Sequence, residues 1–211
     1  MHYAPPADDG LELIYSDASL LVVNKPAGLL SVPGRGEDKQ DCLSSRIQKQ
    51  IPDALIVHRL DMATSGLLVF ARNIEMQRRL SEIFHHRRVA KQYVAVVTGK
   101  PQTETGEINL PIATDWPNRP RRKIDTERGK PSLTRYRVLE SNANASRVQL
   151  EPVTGRTHQL RLHMASIGHP IIGDNLYSGQ IAERLMLHAR MLCFAHPVSG
   201  QMLNLVREAP F

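Results

Sequence analysis

A chain of 211 residues, 41% hydrophobic and 23% charged, carries enough apolar material for one well-buried domain and is neither disordered nor fibrous in composition. Lysine and arginine (27) outnumber aspartate and glutamate (21), and the net charge of +6 suits a polyanionic partner, because phosphate neutralisation supplies much of the affinity for nucleic acid. Cys42 and Cys193 form no zinc-type cluster, no run reaches the ~18 apolar residues of a membrane span, and MHYAPPADDG lacks a signal-peptide pattern, so a cytoplasmic protein without a membrane partner is expected.

Residues 1–10, with paired prolines and paired aspartates, read as a flexible lead-in. Residues 20–24 are a short apolar run closed by Pro26 and Gly28, hence a strand and a turn. Leu43, Ile47 and Ile51 recur every four residues and mark one face of a helix that Pro52 ends. Residues 67–71 read as a buried strand, after which Asn73 caps a helix with Met76, Leu80, Ile83 and Phe84 on its inner face. Residues 93–98 form a valine-rich strand. Residues 115–131, DWPNRPRRKIDTERGKP, lack apolar periodicity and read as an exposed loop. Past Asp115 that loop sets six basic residues, among them Arg119, Arg121, Arg122 and Lys123, against two acidic ones. Residues 133–139 and 147–151 pair as strands across the SNANAS connection. Residues 157–167 suit a short helix closed by Gly168, and Leu187–Ala195 and Met202–Val206 supply the last strands on either side of HPVSG. Strands and helices alternate without the regular βαβ rhythm. The expectation is therefore a single α+β domain over residues 1–211, with a mixed, mainly antiparallel sheet flanked by helices.

The chemistry concentrates in HRLDMATSG, residues 58–66. Its carboxylate, Asp61, lies between two apolar runs, where a charge needs a cationic or hydrogen-bonding partner. Thr64, Ser65 and Gly66 can form a turn whose amides and hydroxyls hold it. The order Arg-Leu-Asp, with Gly66 five residues beyond, excludes a kinase catalytic loop, and no glycine-rich phosphate loop is present. His158 and His163 are five apart, which misses the spacing of a helical zinc pair, and no HExxH occurs, so no metal is expected.

Together with NKPAG at 24–28, KQYVAVVTG at 91–99 and GRTHQLRLH at 155–163, this segment resembles the RluA-type pseudouridine synthases, over nearly the whole chain. The resemblance implies the pseudouridine synthase fold, a bent sheet crossed by a basic RNA-binding cleft, and isomerisation of a uridine flipped out of an RNA stem-loop, with no cofactor. It makes Asp61 the nucleophile, attacking either C6 of uracil or C1′ of ribose. It makes Tyr93 the aromatic that stacks on the target base near its C5 proton, and Arg161 the ion-pair partner of Asp61. Arg59 would enter the stem in the flipped uridine's place, which suits a guanidinium that stacks and binds phosphate. His58, Thr64, Arg156, His158 and the basic cluster Arg119, Arg121, Arg122 and Lys123 are the further residues expected to meet RNA. The string DWPNRPRRK, and the lack of a separate N-terminal RNA-binding domain, resemble the family's A subtype. That similarity implies large-subunit ribosomal RNA and a tRNA anticodon stem-loop as substrates, no DNA, and a monomer. A non-catalytic RNA-binding or assembly protein on the same scaffold is the alternative. A nucleoside hydrolase is disfavoured, because glycoside hydrolysis normally takes two carboxylates and only one candidate stands out.

Overall fold

Alternating and continuous apolar runs become strands in the computed structural model, which describes residues 3–177 and 181–211. In chain order the elements are β1 (Leu13–Ser16), β2 (Leu20–Lys25), α1 (Leu43–Gln50), β3 (Leu55–Ile56), β4 (Ser65–Ala71), α2 (Ile74–His85), β5 (Ala90–Thr98) and β6 (Thr105–Asn109). There follow β7 (Ile112–Thr114), β8 (Arg122–Ile124), β9 (Leu133–Ser141), β10 (Ala145–Pro152), α3 (Gln159–Ser166), β11 (Leu187–Ala195) and β12 (Met202–Val206). The chain divides into two compact units. One comprises the residues up to Lys91 with Ala189–Pro210, and the other Gln92–His188 with Phe211.

In the first unit β2 pairs antiparallel with β1 and β4, β3 adds to β4, and β12 pairs antiparallel with β11. All seven residues of β4 are buried, which is why SGLLVFA reads as an uninterrupted apolar run rather than an alternating one. Leu20, Val22, Leu67, Val69, Met76, Leu80 and Phe194 share one core, with Ile83 and Phe84 packed against it. The expected inner face of α2 is thus the observed one. Asn73 caps that helix by accepting the Met76 N–H at 2.9 Å. At the other end the Arg87 N–H reaches the Phe84 carbonyl (3.1 Å) and the Arg88 N–H the Ile83 carbonyl (2.9 Å), with Arg87 at φ 57°. This is a Schellman cap whose left-handed position, usually glycine, costs an L-residue roughly 1–2 kcal/mol.

The second unit is built on an antiparallel run β5-β10-β9-β6, with β7 and β8 forming a separate hairpin. Its buried apolar residues include Val94, Val97, Ile108, Val148, Leu150, Leu160, Met164 and Ile171. The expected α+β class with mainly antiparallel pairing is the observed one.

Three sequence expectations change in detail. Residues 1–2 of the lead-in lie outside the described residues, and residues 3–10 hold no helix or strand. They are nevertheless tied down. The Tyr3 hydroxyl donates to the Asp41 carbonyl (2.9 Å) and accepts from the Leu30 N–H (3.1 Å), while the Arg46 guanidinium binds the Pro6 carbonyl at 2.7 Å. The stretch 115–131 is not loop throughout. Residues 116–121 are exposed, but β8 follows directly and pairs Thr114 with Arg122 and Ile112 with Ile124. A three-residue strand carries no readable period. Finally, α3 starts at Gln159, two residues later than expected, because His158 sits at its N-cap in the left-handed conformation at φ 57°.

Candidate active site

In the first unit, the end of β2 meets the segment carrying Asp61. Lys25 is fully buried. Its ammonium donates to the carbonyls of Pro26 (2.8 Å), Leu29 (2.7 Å) and Met62 (3.0 Å), so three protons meet three acceptors. The Gly28 N–H also donates to the Met62 carbonyl, at 2.9 Å. On the other side of Asp61, the Ser31 hydroxyl donates to the Leu60 carbonyl (2.7 Å) and accepts from the Leu60 N–H (3.2 Å). The Asp61 carbonyl itself accepts the Thr64 N–H at 3.1 Å, closing the turn into β4. NKPAG and Ser31 together therefore form a cradle for the backbone on both sides of one carboxylate. Gly66 completes it. A Cβ there, at φ 117°, would come within 2.5 Å of backbone atoms of Ala189 on β11.

His58 ties the same segment to α2 and β4. Its ring stacks on Phe84 with centroids 4.3 Å apart, and its Nε2 accepts the Val69 N–H at 3.1 Å. β3 ends with Ile56 opposite Phe70, so this imidazole takes over as acceptor just where the ladder stops. An acceptor Nε2 places the proton of the neutral ring on Nδ1. Burial, and then the nearby Lys91 charge, push the imidazole down to about 3. The ring retains some surface exposure, yet its one described polar contact and its stacked face both favour the neutral form. Arg59 is exposed and makes no hydrogen bond or ion pair with a described residue. Thr64 is buried within the turn.

In the second unit, Tyr93 is half-buried on β5, opposite Leu150 of β10. Arg161 lies buried in α3, and Asp174 grips it through two bonds of 2.7 Å, from Nε and from Nη2. The same carboxylate accepts the N–H groups of Leu176 (2.9 Å) and Tyr177 (3.2 Å). A doubly hydrogen-bonded, buried fork holds a guanidinium in one orientation. Tyr177 extends the arrangement. Its ring lies 5.4 Å from the Arg161 guanidinium, and its hydroxyl meets His158 Nδ1 at 2.9 Å and the Arg122 N–H at 2.8 Å.

The remaining polar residues of GRTHQLRLH dock the helix. Gln159 satisfies its whole amide. Oε1 accepts from the Thr154 hydroxyl (2.7 Å) and the Arg156 N–H (3.0 Å), and Nε2 donates to the Leu133 carbonyl (2.9 Å) and to Thr134 Oγ1 (3.0 Å). His163 donates from Nε2 to the Leu110 carbonyl and accepts at Nδ1 from the Thr134 hydroxyl, both at 2.9 Å. Burial holds it below the usual imidazole range. Arg156 is exposed, with a long contact to the Pro131 carbonyl at 3.4 Å. In the basic hairpin, Arg119 stacks on Trp116 at 3.5 Å, Arg121 Nε donates to the Leu176 carbonyl at 2.7 Å, and Arg122 binds the Thr114 hydroxyl. Lys123 pairs with Asp125 at 3.2 Å. Among the described residues, no group of histidine, cysteine or carboxylate side chains is arranged to hold a metal.

The profile of the family described as RNA pseudouridylate synthase matches residues 19–166. The chain belongs to the RNA pseudouridylate synthase family. The chain is 48% identical, over 215 aligned residues, to the "dual-specificity RNA pseudouridine synthase RluA" of Escherichia coli (strain K12), covering 100% of this chain and 98% of the relative. The protein of the same name in Vibrio cholerae serotype O1 is 48% identical over 99% of this chain and 87% of its own length. The solved structure of human RNA pseudouridylate synthase domain containing 1 superposes with a TM-score of 0.81 at 32% identity, over 99% of this chain and 87% of that one.

The family match contains Lys25, Asp61, Tyr93 and Arg161 but ends before Asp174 and Tyr177. Sequence reasoning missed those two, and Lys25 as well. A faint signal existed for Asp174, a lone carboxylate after glycine at the end of the apolar stretch HPIIGD. Lys25 stood in a quoted motif, but a lysine closing an apolar run reads as a solvated end. Within the expected helix 157–167, His158 lies at the cap, not inside the helix, and meets Tyr177.

Proposed function

We propose that this pseudouridine synthase isomerises uridines in large-subunit ribosomal RNA and in a tRNA anticodon stem-loop, with Asp61 as nucleophile. The observation that carries the reading is the double restraint on the backbone around Asp61, by Ser31 at Leu60 and by Lys25 and Gly28 at Met62. A carboxylate aimed this tightly suits covalent catalysis, where a misplacement of about 1 Å can cost ~10²-fold.

Two routes share the same balance. Asp61 either displaces N1 of the base from C1′, forming a glycosyl ester, or adds to C6 of the uracil ring. The glycosidic C–N bond breaks, the base turns, and C5 bonds to C1′ as Asp61 leaves. N1 gains a proton and C5 loses one. Tyr93 stacks on the base beside that C5 proton. Arg161, held by Asp174, keeps the Asp61 carboxylate ionised and oriented. Arg59 fills the space vacated by the flipped uridine, and Arg156, His158 and the 119–123 hairpin meet phosphates. Residues 1–211 serve as one catalytic domain, in a cytoplasmic monomer.

The test is tritium release from C5-labelled RNA of a synthase-deficient cell, with wild-type protein and Asp61→Asn in parallel. The variant should lose at least ~10³ in rate, as nucleophile replacements do, while still binding RNA. A near-normal rate for Asp61→Asn would remove Asp61 from its role.

A further inference from the structure

The four residues that close α2, His85-His86-Arg87-Arg88, are all exposed. Neither arginine side chain makes a hydrogen bond or ion pair with a described residue, although ion pairs hold Arg46, Arg72, Arg79, Arg135, Arg190 and Arg207 elsewhere on the chain. Arg87 moreover occupies the left-handed position of the Schellman cap. Glycine fits there without strain, and a cation elsewhere in the last turn would serve the helix dipole equally well. A strained residue whose charge meets no described partner points outward, to something the charge can meet.

The turn borders the Asp61 segment. Phe84, two residues before His86, stacks on His58. The charge of Arg87 acts on Lys91, whose amine is lowered first by burial, and the charge of Lys91 acts in turn on His58. Arg59, exposed and without an ion pair to a described residue, follows His58 directly. Glu82 is the acid of the last helical turn, leaving cations in excess from two stretches of chain beside one catalytic segment.

We infer that Arg87 and Arg88 form a phosphate-binding patch for the RNA backbone next to the target uridine, an inference that rests on the RNA-modifying reading above. Guanidinium forks match phosphate oxygens, and contacts of this kind fix register without reading sequence.

The experiment is binding of a synthetic uridine-containing RNA stem-loop across a salt series, with thermal unfolding of each protein alongside. Arg87→Gly with Arg88→Gln should weaken binding and reduce the log–log salt slope by roughly 1.4–1.8, two phosphate contacts' worth. The single Arg87→Gly should weaken binding while leaving Tm unchanged or higher, since it relieves the strained cap. Arg87→Lys with Arg88→Lys should retain most of the slope. The control pair Arg135→Gln with Arg207→Gln removes the same net charge from ion-paired sites and should leave the slope as it is. An unchanged slope in the glycine–glutamine double variant, or an equal fall in the control pair, overturns the patch. Failure of the wild type to release C5 tritium would overturn the catalytic reading instead, and the slopes would still decide the patch.

Discussion

Around Asp61, the described bonds that hold the segment fall on main-chain atoms: Lys25, Gly28 and Ser31 grip the carbonyls and amide of its neighbours. Around Arg161 they fall on the side chain, which Asp174 clasps at both ends of the guanidinium fork. The difference fits the roles proposed for the two residues. A nucleophile, the role proposed for Asp61, has to form and break a bond, and a firmly held backbone suits that role. A guanidinium that orients a partner stays put throughout, and a buried bidentate pair fixes it directly. Main-chain and side-chain supports thus suit the two different roles proposed for Asp61 and Arg161.

The comparison breaks first at Asp174. Replacing it with Asn removes the buried carboxylate that Arg161 grips, and losing one side of a buried ion pair costs about 3–5 kcal/mol. Urea unfolding should show that loss, with kcat falling because Arg161 no longer has one orientation. If stability holds within ~1 kcal/mol, the side-chain clasp is not what fixes this helix. Lys25→Met comes next. It keeps the bulk but removes the donor from three carbonyls, and each buried acceptor left unpaired costs about 1–3 kcal/mol. Met62 keeps its Gly28 bond, so the two carbonyls left unpaired give an expected loss of about 2–6 kcal/mol, with a fall in kcat larger than any change in KM. Loss of stability with kcat unchanged would show that the cradle supports the fold without aiming Asp61.

Much of this architecture was legible. Four-residue spacing marked α1 and α2, Asn73 announced its cap, and the apolar runs marked β2, β4, β11 and β12. What escaped was short or assembled at a distance. β3 and β8, with two and three residues, carry no period. The burial of Lys25 depends on carbonyls from Leu29 and Met62, and the partner of Asp174 lies thirteen residues back on a helix. The motifs pointed to candidate site residues, but not to the docking of α3 by Gln159 and His163, because their partners belong to β9 and to Leu110.

His58 sharpens the comparison at its smallest scale, since it supports the Asp61 segment through a ring that works only while neutral. A protonated imidazole cannot accept the Val69 N–H. Its folded value, about 3, lies below the ordinary 6.5, so between those values the unfolded chain binds a proton that the folded chain refuses. Stability therefore falls as pH drops from 6.5 toward 3. His58→Asn keeps an acceptor for Val69 without a titrating ring. The variant should be slightly less stable at neutral pH, through the lost stacking on Phe84, but its Tm should decline less steeply below pH 6.5. Some slope will remain, because His163 is also held below its usual range by burial. Parallel curves for the two proteins would mean that His58 takes up its proton in the fold, and that the segment is held on this side by the Phe84 contact alone.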